Sequence, residues 1–124
     1  MEINAPDVLA EVTHIFACYE QALVTNDIET LDTLFWDSPL VLRYGTAENL
    51  YGIEAIRAFR SARSPVGLAR EISNTVITTF GRDMATANTE FHRRESGVSG
   101  RQSQTWVRLD GKWRIVSAHV SLLK

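Results

Sequence analysis

The Asp110-Gly111 pair, set between the alternating runs QTWVRL and KWRIVSAHV, constrains this chain more than any other feature. A two-residue type I′ turn needs positive φ at both central positions, which Asp-Gly tolerates, so the pair predicts a tight antiparallel hairpin. The expected register puts Leu109 with Lys112, Trp106 opposite Ile115, Gln104 opposite Ser117 and Gln102 opposite His119. Directly opposed residues share a sheet face. One face should then carry Gln102, Gln104, Trp106, Ile115, Ser117 and His119, and the other Thr105, Val107, Leu109, Val116, Ala118 and Val120. Both hold apolar groups, which implies that both are covered. The mixed face reads as a pocket wall and the aliphatic face as a packing surface. A β-bulge within the pair would exchange assignments beyond it.

Upstream, Val8, Val12, Ile15, Phe16, Tyr19 and Leu23 recur at helical spacing from Pro6-Asp7 onward, which places Tyr19 on a buried stripe. Asn26-Asp27 breaks this helix and caps a second, with Ile28, Leu31, Leu34 and Phe35 on its apolar face, before Trp36, Asp37 and Pro39 stop it. Leu40 to Tyr44 reads as a short strand, with a turn-rich stretch and a second short strand at Asn49 to Tyr51. Ile53, Ile56 and Phe59 mark a third helix, with Arg57, Arg60 and Arg63 toward its C-terminal end, where cations suit the helix dipole. After the loop Ser64 to Gly67, Leu68 to Phe80 and Met84 to Arg93 read as a hairpin around Gly81-Arg82-Asp83. Helices followed by a long antiparallel meander predict an α+β fold, with helices on one face of a curved sheet.

At 124 residues the chain is expected to form a single domain, 1–124. A formal net charge of -2 lacks the basic excess of a nucleic-acid surface. No apolar run approaches a membrane span, and MEINAPD lacks the regions of a signal peptide, so a cytoplasmic protein is expected. The single cysteine, Cys18, cannot form an internal disulfide. His14, His92 and His119 lack the paired spacing of a zinc site, no serine sits in a nucleophile motif and no glycine-rich phosphate loop is present. Neither a metal nor a cofactor is expected.

Arg43 is the most informative polar residue, because Val41, Leu42 and Tyr44 border it and a buried guanidinium needs an anionic or hydrogen-bonding partner. That partner is either Glu48 or Glu90 within the chain, or a substrate carboxylate gripped in bidentate fashion. Tyr19 is either a core tyrosine bonded to a backbone carbonyl or a proton donor beside Arg43. Gln102, Gln104 and His119 either line the pocket, where an amide offers both donor and acceptor, or bond to one another across the sheet. Trp36, Tyr44 and Tyr51 either close the pocket or belong to the core. Arg57, Arg60 and Arg63 suit a solvated face, with Arg60 able to turn toward the pocket mouth and steer anions.

The element order with SQTWVRLDGKWRIVSAHVS resembles the SnoaL-like branch of the cone-shaped folds related to nuclear transport factor 2. ALVTNDIETLDTLFWDSP, RYGTAENLYGIEAIRAFRSAR, TTFGRDMATANTEF and GRQSQTWV are further similar to the family of the oxalurate-catabolism protein HpxZ and the AtzH proteins of cyanuric acid breakdown. The resemblance implies a pocket between helices and concave sheet, and a homodimer formed through the outer sheet face. It implies work on small anionic ureido acids, with AtzH-like members removing carbon dioxide from 1,3-dicarboxyurea to leave allophanate. It implies Tyr19 in FACYEQAL and Arg43 in VLRYG as the catalytic pair. Trp36, Tyr44, Gln102, Gln104, His119 and Arg60 are the expected substrate-binding residues. The fold also serves non-catalytic modules, so capture of a small carboxylate for a partner amidohydrolase is the alternative. Proton transfer of the steroid-isomerase kind fits less well, because the strand bearing Arg43 offers no carboxylate base.

Overall fold

The computed structural model describes residues 1–124. Helix α1, Pro6–Val24, buries Val8, Val12, Phe16, Tyr19 and Leu23 along one stripe. Asn26, at φ 53°, turns the chain, and Asp27 caps α2, Ile28–Leu34, by accepting from the Thr30 amide at 3.2 Å. The short strands β1, Leu42–Tyr44, and β2, Asn49–Tyr51, pair antiparallel and are followed by α3, Ile53–Ala62. Strands β3, Glu71–Phe80, β4, Met84–His92, β5, Ser99–Leu109, and β6, Lys112–Leu122, form the meander. The six strands run in the order β2-β1-β6-β5-β4-β3. The meander closes onto the β1-β2 hairpin through a parallel β1-β6 pairing, a join the meander reading did not include. No helix is long and apolar enough to cross a membrane.

The core lies where the three helices meet the concave face. Trp106, Phe35, Leu31, Ile56 and Ile115 are fully buried there with Val8 and Val12 of α1. Burial of large aliphatic and aromatic side chains, each worth about 1.5–3 kcal/mol, holds the helical layer on the sheet.

Asp110 at φ 50° and Gly111 at φ 77° make the tight turn, and Leu109 pairs with Lys112, as expected. The predicted register runs as far as Trp106 opposite Ile115 and then slips. Thr105 pairs with Ser117, Gln104 with Ala118, Ser103 with His119 and Gln102 with Val120, which leaves Val116 as the extra residue of a β-bulge. Side-chain direction alternates with every residue, so one insertion turns the rest of the strand over. Ala118 and Val120 therefore face the concave side, buried beside Gln102 and Gln104. Ser117, His119 and Ser121 move to the outer face. The assignment of His119 to the pocket wall, and of Ala118 and Val120 to the outer face, is corrected accordingly. No glycine or proline marks this bulge. It follows the point where Phe35 bridges Ile115 and the Trp36 amide donates to the Ile115 carbonyl at 3.0 Å, so it bends the strand where the helical layer docks.

Candidate active site

Arginines dominate the concave cavity. Arg43 pairs with Ala118 in the β1-β6 ladder and so points to the concave side. Arg63 is the residue at which α3 ends, Arg70 precedes β3 and Arg93 follows β4. The outer part of the cavity has a volume of about 280 Å³ and is lined by Arg43, Arg63 and Arg93 with Phe59, Leu68 and Val120. It continues into an inner chamber of about 30 Å³ reached by Tyr19, Arg70 and Gln102 together with the same three arginines. The whole suits an acid of a few carbons. Larger grooves lie at the start of α3 and between α1 and β3, about 450 and 440 Å³, but neither gathers several cations.

Two phenyl rings organise these cations. Phe59 lies 5.5 Å from the Arg43 guanidinium and 6.0 Å from that of Arg63. Phe91 lies 4.8 Å from Arg70 and 5.2 Å from Arg93. Within each pair one arginine is neutralised: Arg43 donates to Glu48 at 3.0 Å, and Arg70 forks onto Glu20, its Nε 3.2 Å from Oε2. Arg63 and Arg93 make no ion pair, and Nε and Nη2 of Arg63 are buried without a hydrogen-bond acceptor. Burial pushes the Arg63 guanidinium below arginine's ordinary pKa, and the charges of Arg43 and Arg60 push the same way. Arg93 is lowered by burial and by Arg70 and Arg43. Both remain cationic at neutral pH. The cavity thus carries uncompensated positive charge that an anionic ligand would neutralise.

Tyr19 is 4% exposed, packs against Phe35 at 6.4 Å, and its hydroxyl engages no hydrogen-bond partner in the chain. It and Arg43 both line the inner chamber. Gln102 accepts from Arg70 at 3.0 Å, and its amide nitrogen is a buried donor without a partner.

The other expected binding residues lie elsewhere. Gln104 is buried and accepts from the Trp106 indole at 3.0 Å, but it lines neither part of the cavity. Arg60 turns inward instead of toward the mouth, bonded to Asp32 and stacked 4.8 Å from Phe35, with burial as the chief cause of its lowered pKa. Trp36 packs on the core edge. Tyr44 pairs with His119 in the β1-β6 ladder and meets its ring edge-on at 5.6 Å on the outer face, where its hydroxyl lies 3.2 Å from that of Tyr51. For Arg43 the Glu48 ion pair and the cavity position hold together. Arg63, Arg70, Arg93 and Glu20 were missed, because they lie on separate segments that only the fold brings together. The nearest signal was Arg63 in the arginine run of α3, where the helix dipole already accounted for it. No group of three or more His, Cys, Asp or Glu side chains comes together to hold a metal.

The AtzH-like family model matches residues 1–124. A protein of unknown function from the DUF3225 family of Pectobacterium atrosepticum is 58% identical, with 98% of this chain and 95% of that one covered and a TM-score of 0.96. A cystatin-like fold protein from Burkholderia xenovorans is 51% identical, with 99% and 97% covered and a TM-score of 0.95. A nuclear transport factor 2-like superfamily protein from Salmonella enterica, 24% identical with 95% and 92% covered and a TM-score of 0.77, shares the fold. Comparison with curated proteins returns no match.

Proposed function

The chain belongs to the AtzH-like family across residues 1–124, and from that premise we propose that it is a cofactor-independent enzyme that decarboxylates a small N-carboxylated urea. The observation that carries the proposal is the inner chamber itself, where the unpartnered Tyr19 hydroxyl and Arg43 meet two arginines that lack a carboxylate partner. Such a site attracts a dianion, and 1,3-dicarboxyurea is one. As the bond between its nitrogen and a terminal carboxylate breaks, the bonding pair passes to nitrogen and the carboxylate carbon leaves as carbon dioxide. Tyr19 donates its proton to that nitrogen and regains one from solvent. The dianion plus one proton becomes the allophanate monoanion and carbon dioxide. A positioned donor is required because an amide-like nitrogen anion is a poor leaving group. Arg43 orients the acid and Gln102 offers its free amide N–H to the urea oxygen. A homodimer through the outer sheet face belongs to the proposal, supported by the exposed Val76 and Met84; sedimentation as a monomer that persists at high concentration removes it.

The test is carbon dioxide and allophanate release from freshly generated 1,3-dicarboxyurea, corrected for spontaneous loss. Acceleration proportional to protein and abolished in Arg43→Ala is expected. Saturable binding of ureido acids with no product at any protein concentration would replace the enzyme by a carboxylate-capture module, and oxalurate turnover would change the substrate.

A further inference from the structure

The uneven neutralisation of the cavity's arginines assigns them different tasks. Arg43 already holds Glu48, whereas Arg63 and Arg93 hold no carboxylate and reach the same space from the end of α3 and the end of β4. We infer that Arg63 and Arg93 form a second carboxylate subsite, which grips the acid group that the substrate keeps, while the half-neutralised Arg43 faces the group that leaves. This rests on the decarboxylation reading above.

The chemistry favours that division. A carboxylate loses its charge as it departs, so a strong cation fixed on it would stabilise the ground state more than the transition state and slow the reaction. The same cation on the remote carboxylate binds both states equally and only positions the molecule. Glu48 weakens the grip of Arg43 where a strong grip would be harmful. The unsatisfied Nε and Nη2 of Arg63 provide a forked donor for the acid that stays. Arg93 adds a second cation, held in place by the Phe91 ring. Arg63 and Arg93 are therefore positioning groups that set the requirement for a second acid.

Unreactive acids separate the two tasks without any turnover. Glutarate has the chain length of 1,3-dicarboxyurea with two carboxylates, and glutaramate replaces one of them by an amide. Titration calorimetry on the full chain is expected to show that Arg63→Gln and Arg93→Gln each weaken both acids roughly tenfold or more, with partial recovery in Arg63→Lys. Arg43→Ala should weaken glutarate while leaving glutaramate within about threefold, since the monoacid seats its one carboxylate at Arg63 and Arg93. Glutaramate binding that survives both glutamine variants and disappears in Arg43→Ala would overturn the assignment. A second measurement needs only the unsubstituted protein. Glutaramate should protect Arg63 and Arg93, but not Arg43, from phenylglyoxal, as read by peptide mass spectrometry, and the reverse pattern would also overturn it. Protection at Arg63 and Arg93 without carbon dioxide release would keep the subsite and remove the decarboxylase reading. Release with the reverse protection would do the opposite.

Discussion

The guanidinium of Arg70 forks onto the carboxylate of Glu20, fifty residues earlier in the chain, and Arg70 lines both the inner chamber and the groove outside α1. The Arg70 side chain is 3% exposed, so its charge stays buried when Glu20 is replaced. Glu20→Gln should therefore destabilise the fold by about 3–5 kcal/mol, the usual cost of leaving a buried charge unpaired. The double variant Glu20→Leu with Arg70→Met should recover most of that loss in denaturant unfolding. A single variant as stable as the original would show that the pair does not hold the fold.

The slipped register of β6 makes a contrast between adjacent residues. His119 lies exposed on the outer face, whereas Ala118 is 4% exposed against the concave core. His119→Ala should shift stability by no more than about 0.5 kcal/mol and leave turnover unchanged. Ala118→Phe should destabilise by about 1–3 kcal/mol or more, because it forces a large ring into a closely packed face. Thermal melting with the decarboxylation assay checks both, and a loss of activity in His119→Ala would return the histidine to the cavity.

Where local chemistry decides the structure, the sequence is legible. Asp110-Gly111 demanded its turn, the stripe from Val8 to Leu23 demanded a buried face, and Asp27 its cap. The Val116 bulge is not of that kind: a valine without positive φ sits at a point chosen by the docking of Phe35 and Trp36, which are distant in sequence. One inserted residue was enough to exchange His119 for Ala118 and Val120. The arginine cavity is likewise a product of topology. Arg43, Arg63, Arg70 and Arg93 lie on four segments, and only the β1-β6 pairing and the packing of α3 bring them together. Arg43 could be singled out because it breaks an apolar pattern, whereas Tyr19 continues one and was marked only by the family resemblance. Arg63 and Arg93 break none.

The α2 cap carries a pH signature. Asp27 accepts from the Thr30 hydroxyl at 2.7 Å and from the Thr30 amide at 3.2 Å, and these bonds hold its carboxyl below the usual aspartate pKa. A carboxylate depressed in the folded state stabilises above its unfolded pKa, and that stabilisation is lost as pH falls through the folded value. Asp27→Ala should therefore melt at a lower temperature than the original near neutral pH, and the gap should close in strong acid. A gap that stays constant with pH would assign the loss to helix propensity instead of the charged cap.

Tyr19 offers the sharpest separation of chemistry from stability. A core tyrosine bonded to the backbone loses about 1 kcal/mol on removal of its hydroxyl. The Tyr19 hydroxyl has no partner in the chain, so Tyr19→Phe should unfold within about 0.5 kcal/mol of the original. If the hydroxyl delivers the proton to the departing nitrogen, turnover should nevertheless fall by about 10²–10⁴. Arg43→Ala should abolish turnover as well, at little cost to the fold, because the Glu48 it leaves behind is 23% exposed and can be solvated. The two losses differ in binding: Tyr19→Phe should hold glutarate as before, and Arg43→Ala should not. A Tyr19→Phe protein that decarboxylates at the original rate would leave the arginines to act by binding alone, with water as the proton source.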